Sequence, residues 1–95
     1  MAKFRRIQYD NLAFHCPGCN FVHIIDKRWI FNNDLNNPTI NPSLLVREPV
    51  GNKVNVCHSF IREGKIQFLS DSTHGLAGKT VEIPDFETMH PDWSE

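Results

Sequence analysis

Cys16 and Cys19 stand two residues apart in the run HCPGCNFVH, which begins and ends with His15 and His23. Thiolate and imidazole are the ligands that Zn2+ takes in a tetrahedral site. Two cysteines at this spacing can share one ion if the chain between them turns tightly. Pro17 fixes φ and Gly18 tolerates unusual φ/ψ, so the sequence supplies that turn. The residue after the second cysteine of such a knuckle often needs positive φ, and Asn20 is among the few non-glycine residues that accept it. A redox dithiol would instead need a helix opening at its first cysteine. Pro-Gly followed by Asn-Phe-Val-His-Ile-Ile reads as a turn into a strand.

The remaining cysteine, Cys57, supplies a third ligand. Two hairpins, each donating a pair, would make a zinc-ribbon arrangement. His74 is the expected fourth ligand, because a short loop after the return strand can bring it back to Cys57. His58 is the first alternative. It adjoins Cys57, and adjacent strand residues point to opposite faces unless a bulge intervenes. His23 is the next alternative, followed by His15 or water. The expected site is therefore Zn2+ on Cys16, Cys19, Cys57 and His74, although iron also accepts thiolate-rich tetrahedral sites. Asp71 either hydrogen-bonds the free nitrogen of a ligating histidine or simply caps a turn.

Other catalytic patterns are missing from the sequence. It has no His-Glu-x-x-His, no His-x-Glu with Pro-Cys-x-x-Cys, and no Gly-x-Ser-x-Gly elbow. Gly78-Lys79-Thr80 imitates the end of a phosphate loop, but Thr73 stands where its first glycine belongs, and Val81-Glu82-Ile83-Pro84 reads as a strand rather than a helix.

The elements that must carry these residues are short. Phe4–Tyr9 reads as a strand. Leu12–His15 leads into the knuckle, Phe21–Ile25 returns from it, and Trp29–Phe31 follows. Asn36–Pro42 is expected to be an extended loop, because its prolines exclude a helix interior and a central strand. Ser43–Arg47 is a strand, and Pro49–Lys53 turns around Gly51. Val54–Ser70 is a hairpin turning at Glu63-Gly64. Asp71–Lys79 is a loop or one short helical turn, Thr80–Ile83 a strand, and residues 84–95 an acidic tail. No stretch holds a helical stripe over three turns. The expected class is mainly β: one small zinc-ribbon-like domain of antiparallel hairpins over residues 1–95, with at most one short helix.

The chain has 95 residues, and a domain of that size buries only about 60–65 % of the surface its unfolded chain exposes. A structural metal supplements so thin a core, by on the order of 10 kcal/mol for zinc. The net charge is −1, too small for a global field toward nucleic acid or membrane. Arg5, Arg6, Lys27, Arg28 and Trp29 still combine charge with a stacking surface. No apolar run approaches a membrane span, and no signal peptide is legible. Pro38 and Pro42 void both potential glycosylation sequons. Three cysteines cannot all pair within one chain, so a reducing cytoplasm is expected.

The runs FHCPGC, WIFN, PTINPSLLV, CHSFI, GKIQFLSDSTHGLAG and TVEIPD together resemble a family of small phage and prophage proteins that genome catalogues often label "ammonia monooxygenase". The resemblance covers about three quarters of the chain. It implies a phage-encoded zinc-binding protein in the host cytoplasm, with no established activity. It also implies that many relatives carry cysteine where this chain has Ser72, so that His74 or His58 must complete the site here. The leading expectation is a non-enzymatic module that binds a host or phage protein, for example to inhibit host defence. One alternative is a small metal-dependent, hydrolase-like enzyme with an open zinc position, carried by His58, His74 and Asp71. The other is a zinc-ribbon nucleic-acid binder.

Overall fold

The computed structural model describes residues 2–93; Ser94 and Glu95, the end of the expected acidic tail, lie outside the described residues, as does Met1. The fold is mainly β, as the short alternating runs suggest. β1 (Phe4–Arg6), β2 (Leu12–Cys16) and β3 (Phe21–Ile25) form one antiparallel sheet in sequence order. A second antiparallel sheet, also in sequence order, holds β4 (Ile30–Phe31), β5 (Ile40–Val50), β6 (Lys53–Arg62), β7 (Lys65–Phe68) and β8 (Thr80–Glu82). One short helix follows, α1 (Phe86–Met89).

The two sheets share a core. Phe4 stacks on Phe14 at 5.2 Å and on Phe31 at 5.8 Å. Ile25 joins them from β3, and Leu44, Ile61, Ile66 and Phe68 come from the larger sheet. On β6 and β7 the burial alternates: Cys57, Ser59, Ile61, Ile66 and Phe68 face inward, while their neighbours reach water. That period of two is what a sheet with one buried face requires. All five residues of β2 are buried, in keeping with its central place in the small sheet.

The β6–β7 hairpin turns at Glu63-Gly64, where φ is +50° and +80°. Both residues are thus in the left-handed region that a two-residue hairpin needs. The first strand is shorter than expected. It ends at Arg6, because Tyr9 and Asp10 take positive φ in a tight turn.

Two proline positions need correction. Pro42 and Pro49 both lie inside β5, where an extended loop and a turn were expected. The ladder explains how the strand tolerates them. Between the pairs Ile40↔Ile61 and Leu44↔Ser59 the register shifts, so residues 41–43 form a bulge that contains Pro42. Pro49 pairs with Val54, one step from the closing pair Val50↔Lys53. Hydrogen-bonded and non-hydrogen-bonded pairs alternate along an antiparallel ladder, so Pro49 falls where no inward N–H is needed.

The acidic tail is also more than a solvated end. Phe86 is buried, its N–H donates to the Ala2 carbonyl at 2.9 Å, and its ring meets His90 and Trp93. Phe86→Ala should therefore lower stability by about 3 kcal/mol, measured by chemical denaturation. A loss below about 0.5 kcal/mol, typical of a surface substitution, would show that α1 does not belong to the core.

Candidate functional site

The Cys16–Cys19 knuckle caps the β2–β3 hairpin. The Asn20 N–H closes it onto the Cys16 carbonyl at 2.8 Å, and Asn20 has φ +61°, as its side chain permits. The Cys19 N–H points at Cys16 Sγ at 3.4 Å. Gly18 is needed for space rather than for φ, because a Cβ there would stand 2.3 Å from the His74 ring.

Cys57 faces inward from β6, and its Sγ lies 3.8 Å from that of Cys16. Two sulfurs on one tetrahedral zinc, at about 2.3 Å each, stand about 3.8 Å apart. Cys16, Cys19, Cys57 and His23 offer four ligand atoms that all lie within 4.8 Å of one another. His23 Nε2 is buried and has no hydrogen-bond partner. A buried imidazole nitrogen left unsatisfied is costly, and a cation at the centre of this group would remove that cost. The donor set therefore fits a metal ion such as zinc.

Left to themselves, the three thiols divide unequally. Cys16 is held down to about 4, first by the hydrogen bond from Cys57 and then, against the cost of burial, by His23 and the Cys19 N–H. Cys19 is pushed up to about 11 by burial and by the charge on Cys16. Cys57 is pushed up as well, first by its hydrogen bond to Cys16. A bound dication would instead stabilise all three as thiolates.

The expected fourth ligand, His74, lies outside this four-residue group. Its ring packs edge-on to Phe68 at 4.4 Å and presses on Gly18. Its Nδ1 accepts the Leu76 N–H at 3.2 Å, which in a neutral ring leaves the proton on Nε2 and no lone pair there for a metal. The hairpin β2–β3 thus offers three of the grouped ligands and β6 one, rather than two from each of two hairpins. His15 is bonded to Asn20 at 3.0 Å and to His90 at 2.9 Å.

His58 follows Cys57 on β6 and points to the opposite, open face. Its Nδ1 faces Asp71 Oδ2 at 3.1 Å and Oδ1 at 3.3 Å, and its Nε2 faces Ser43 Oγ at 3.3 Å. Nδ1–H donating to the carboxylate and Nε2 accepting from the hydroxyl is the order of a Ser-His-Asp relay. The pair is solvated, with the His58 side chain 25 % and that of Asp71 61 % exposed, so salt screens it.

Irregularities in the sheet place all three groups. Ser43 ends the β5 bulge, a device that re-aims side chains, and its carbonyl accepts the Trp29 Nε1–H at 3.2 Å. Asp71 sits where the β6–β7 ladder breaks. Leu69 N–H reaches the His58 carbonyl at 2.8 Å and Thr73 N–H reaches that of Val56 at 2.9 Å, and Ser70 and Asp71 are exposed between them. The buried Ser72 hydroxyl bridges the gap, accepting from His58 N–H at 3.1 Å and donating to the His58 carbonyl at 3.1 Å. Reading the sequence for metal ligands cast His58 and Asp71 in other roles and missed Ser43. The available signal was the alternation that sends His58 away from Cys57. Of the basic residues weighed for nucleic acid, Arg28 is engaged by Asp26 and lies over the Trp29 ring.

Residues 2–69 match the model of a family described as bacterial ubiquitination-like system serine protease (BubE). The matched span includes Ser43, His58 and all four grouped metal-site residues, and it stops two residues short of Asp71. That description names a bacterial system; a phage origin is no part of it. No curated protein and no solved structure matches the chain.

His23→Ala should lower bound zinc well below one per chain, whereas His74→Ala should keep it. Elemental analysis, together with the cobalt spectrum of the substituted protein, reads this directly. The opposite pattern would move the fourth ligand to His74.

Proposed function

The chain belongs to the BubE family, and from that premise we propose that it is a serine hydrolase using Ser43 as nucleophile, His58 as general base and Asp71 as the group that orients the imidazole. The observation that carries this reading is the linear contact Ser43–His58–Asp71 on one open face of the large sheet. Ser43 Oγ attacks a carbonyl carbon while its proton passes to His58 Nε2. The imidazolium, held by Asp71, then returns that proton to the leaving amine. Water repeats the cycle to release the acyl group. The family's description supports, as substrate, an amide bond at the C-terminus of a ubiquitin-like modifier.

The metal centre has a separate role in this reading. A bound ion would cross-link the β2–β3 hairpin to β6 and would take no part in the chemistry, because its four ligands close a structural shell. Cys57 and His58 are consecutive residues on opposite faces, so the ion would hold β6 without facing the substrate. The small metal-dependent enzyme expected as an alternative needs an open metal position, and the four grouped donors favour a closed one. The non-enzymatic module rested on the lack of a catalytic constellation, which the arrangement around His58 supplies.

A fluorophosphonate probe should label Ser43 in the native protein and fail with Ser43→Ala and His58→Ala. Ser43→Ala should lower turnover of a reactive ester at least about a thousandfold while keeping bound metal and melting temperature. Asp71→Asn should lower kcat with the fold intact. Unchanged turnover in Ser43→Ala, or labelling at another residue, would overturn the assignment. A native protein inert to probe and ester would return the interaction module to first place.

A further inference from the structure

The outer edge of β5 begins at the proposed nucleophile and is open. β4 pairs only with Ile40 and Asn41, while β5 continues to Val50. The hydrogen-bonding direction along that edge follows from the register. Val50↔Lys53 closes a two-residue hairpin, so the bonded pairs with β6 are Val50↔Lys53, Glu48↔Asn55, Val46↔Cys57 and Leu44↔Ser59. The residues between them, Leu45, Arg47 and Pro49, turn their backbone groups outward, away from β6. On the far side of β6 the same register is visible directly: His58 and Val56, opposite Leu45 and Arg47, send their backbone groups to Ser72, Leu69 and Thr73.

That edge is bounded at both ends. The Ser43 carbonyl is taken by Trp29 Nε1. Pro49 has no N–H to offer. Between them Leu45 and Arg47 each present an outward N–H and an outward C=O, and no backbone bond to these groups exists on that side among the described residues. Leu45, Arg47, Glu48 and Pro49 are all exposed, so nothing described lies over the edge. An unpaired edge of this kind is a template for another strand, and adding an extended peptide to it is a general mode of recognition.

We propose that the β5 edge between Ser43 and Pro49 binds the acyl side of the substrate as an added antiparallel strand, with an apolar residue beside Leu45 and an acidic residue beside Arg47. The proposal rests on the serine-hydrolase reading and adds its substrate preference. Direction follows from geometry. β5 runs from Ser43 to Val50, so an antiparallel peptide runs toward Ser43 and delivers residues upstream of the cleaved bond. Since Trp29 occupies the Ser43 carbonyl, the peptide residue nearest Ser43 cannot pair there and is left to turn its carbonyl toward Oγ. Residues directly opposite in a ladder place their side chains on the same face and interact. The third residue back from the cleaved bond therefore lies beside Leu45, 45 % exposed on the open face. The fifth lies beside Arg47, which has no ion pair among the described residues.

The test uses glycine-based hexapeptide aminocoumarin amides with leucine third from the cleaved bond and either glutamate or lysine fifth, together with a small acetyl ester. The metal-loaded native protein should favour the glutamate peptide over the lysine peptide about three- to tenfold in kcat/KM, and Arg47→Glu should invert that preference. Arg47→Pro removes one outward N–H in the register Pro49 already occupies, and it should lower the peptide-to-ester ratio of kcat/KM about fivefold. If Arg47→Pro fails to fold, the inversion by Arg47→Glu decides alone. A native protein that cleaves the ester and both peptides with equal preference, unaltered in Arg47→Glu, overturns the edge proposal and leaves the Ser43 assignment standing. A native protein that cleaves neither ester nor peptide sinks both.

Discussion

Consecutive side chains of a β-strand leave it on opposite sides, and Cys57 and His58 are consecutive. This constraint organises the molecule. Cys57 turns inward to the three grouped donors of the β2–β3 hairpin, and His58 turns outward to Ser43 and Asp71. A metal at Cys57 would tie β6 to the three-stranded sheet from behind, while hydroxyls and carboxylate fix its front. Each side of the strand supports the other without sharing atoms. That separation would let a small chain hold the metal-ligand group and the proposed catalytic face within the thickness of one sheet.

Ser43 and Asp71, the partners of His58 in the proposed relay, sit where the ladder fails. Ser43 ends a bulge and Asp71 rides an outward loop between two backbone bonds to β6. A regular ladder would have placed neither beside His58, because side chains of adjacent strands meet only at fixed register. The breaks expose backbone donors that need partners. Ser72 and Thr73 answer with their hydroxyls, on His58 and Val56 respectively. These two side chains stand in for a missing strand and locate Asp71 as they do so. Trp29 acts similarly on the other side, holding the Ser43 carbonyl at the sheet edge.

The thin core explains the remaining features. Aromatic stacking of Phe4 with Phe14 and Phe31 joins the two sheets at one end, and the four-donor group joins them at the other. The segment after β8 spans both: the Phe86 N–H donates to the Ala2 carbonyl, and His90 meets His15 beside the knuckle. Glu87 and Asp92 face water, but Phe86 belongs to the core and Trp93 packs on it. Charge patterning alone registers the first property and overlooks the second.

The linear order of residues was enough to determine the β class, the knuckle with its left-handed Asn20, the Glu63-Gly64 hairpin and the convergence of three cysteines. The first three depend on local spacing: period-two burial, a two-residue gap, a turn pair; the fourth followed from Cys57 being the one further thiol in the chain. What required the tertiary structure was any choice among distant partners of similar chemistry. Both His23 and His74 leave a buried Nε2 without a hydrogen-bond partner, so between them the deciding fact is distance: His23 lies within 4.8 Å of all three sulfurs, and His74 is outside that group. Ser43 carried no signal, since a serine after proline resembles many others until a bulge turns it toward His58. Strand register and ladder breaks arise from the whole sheet pairing at once, and no short window of sequence contains them.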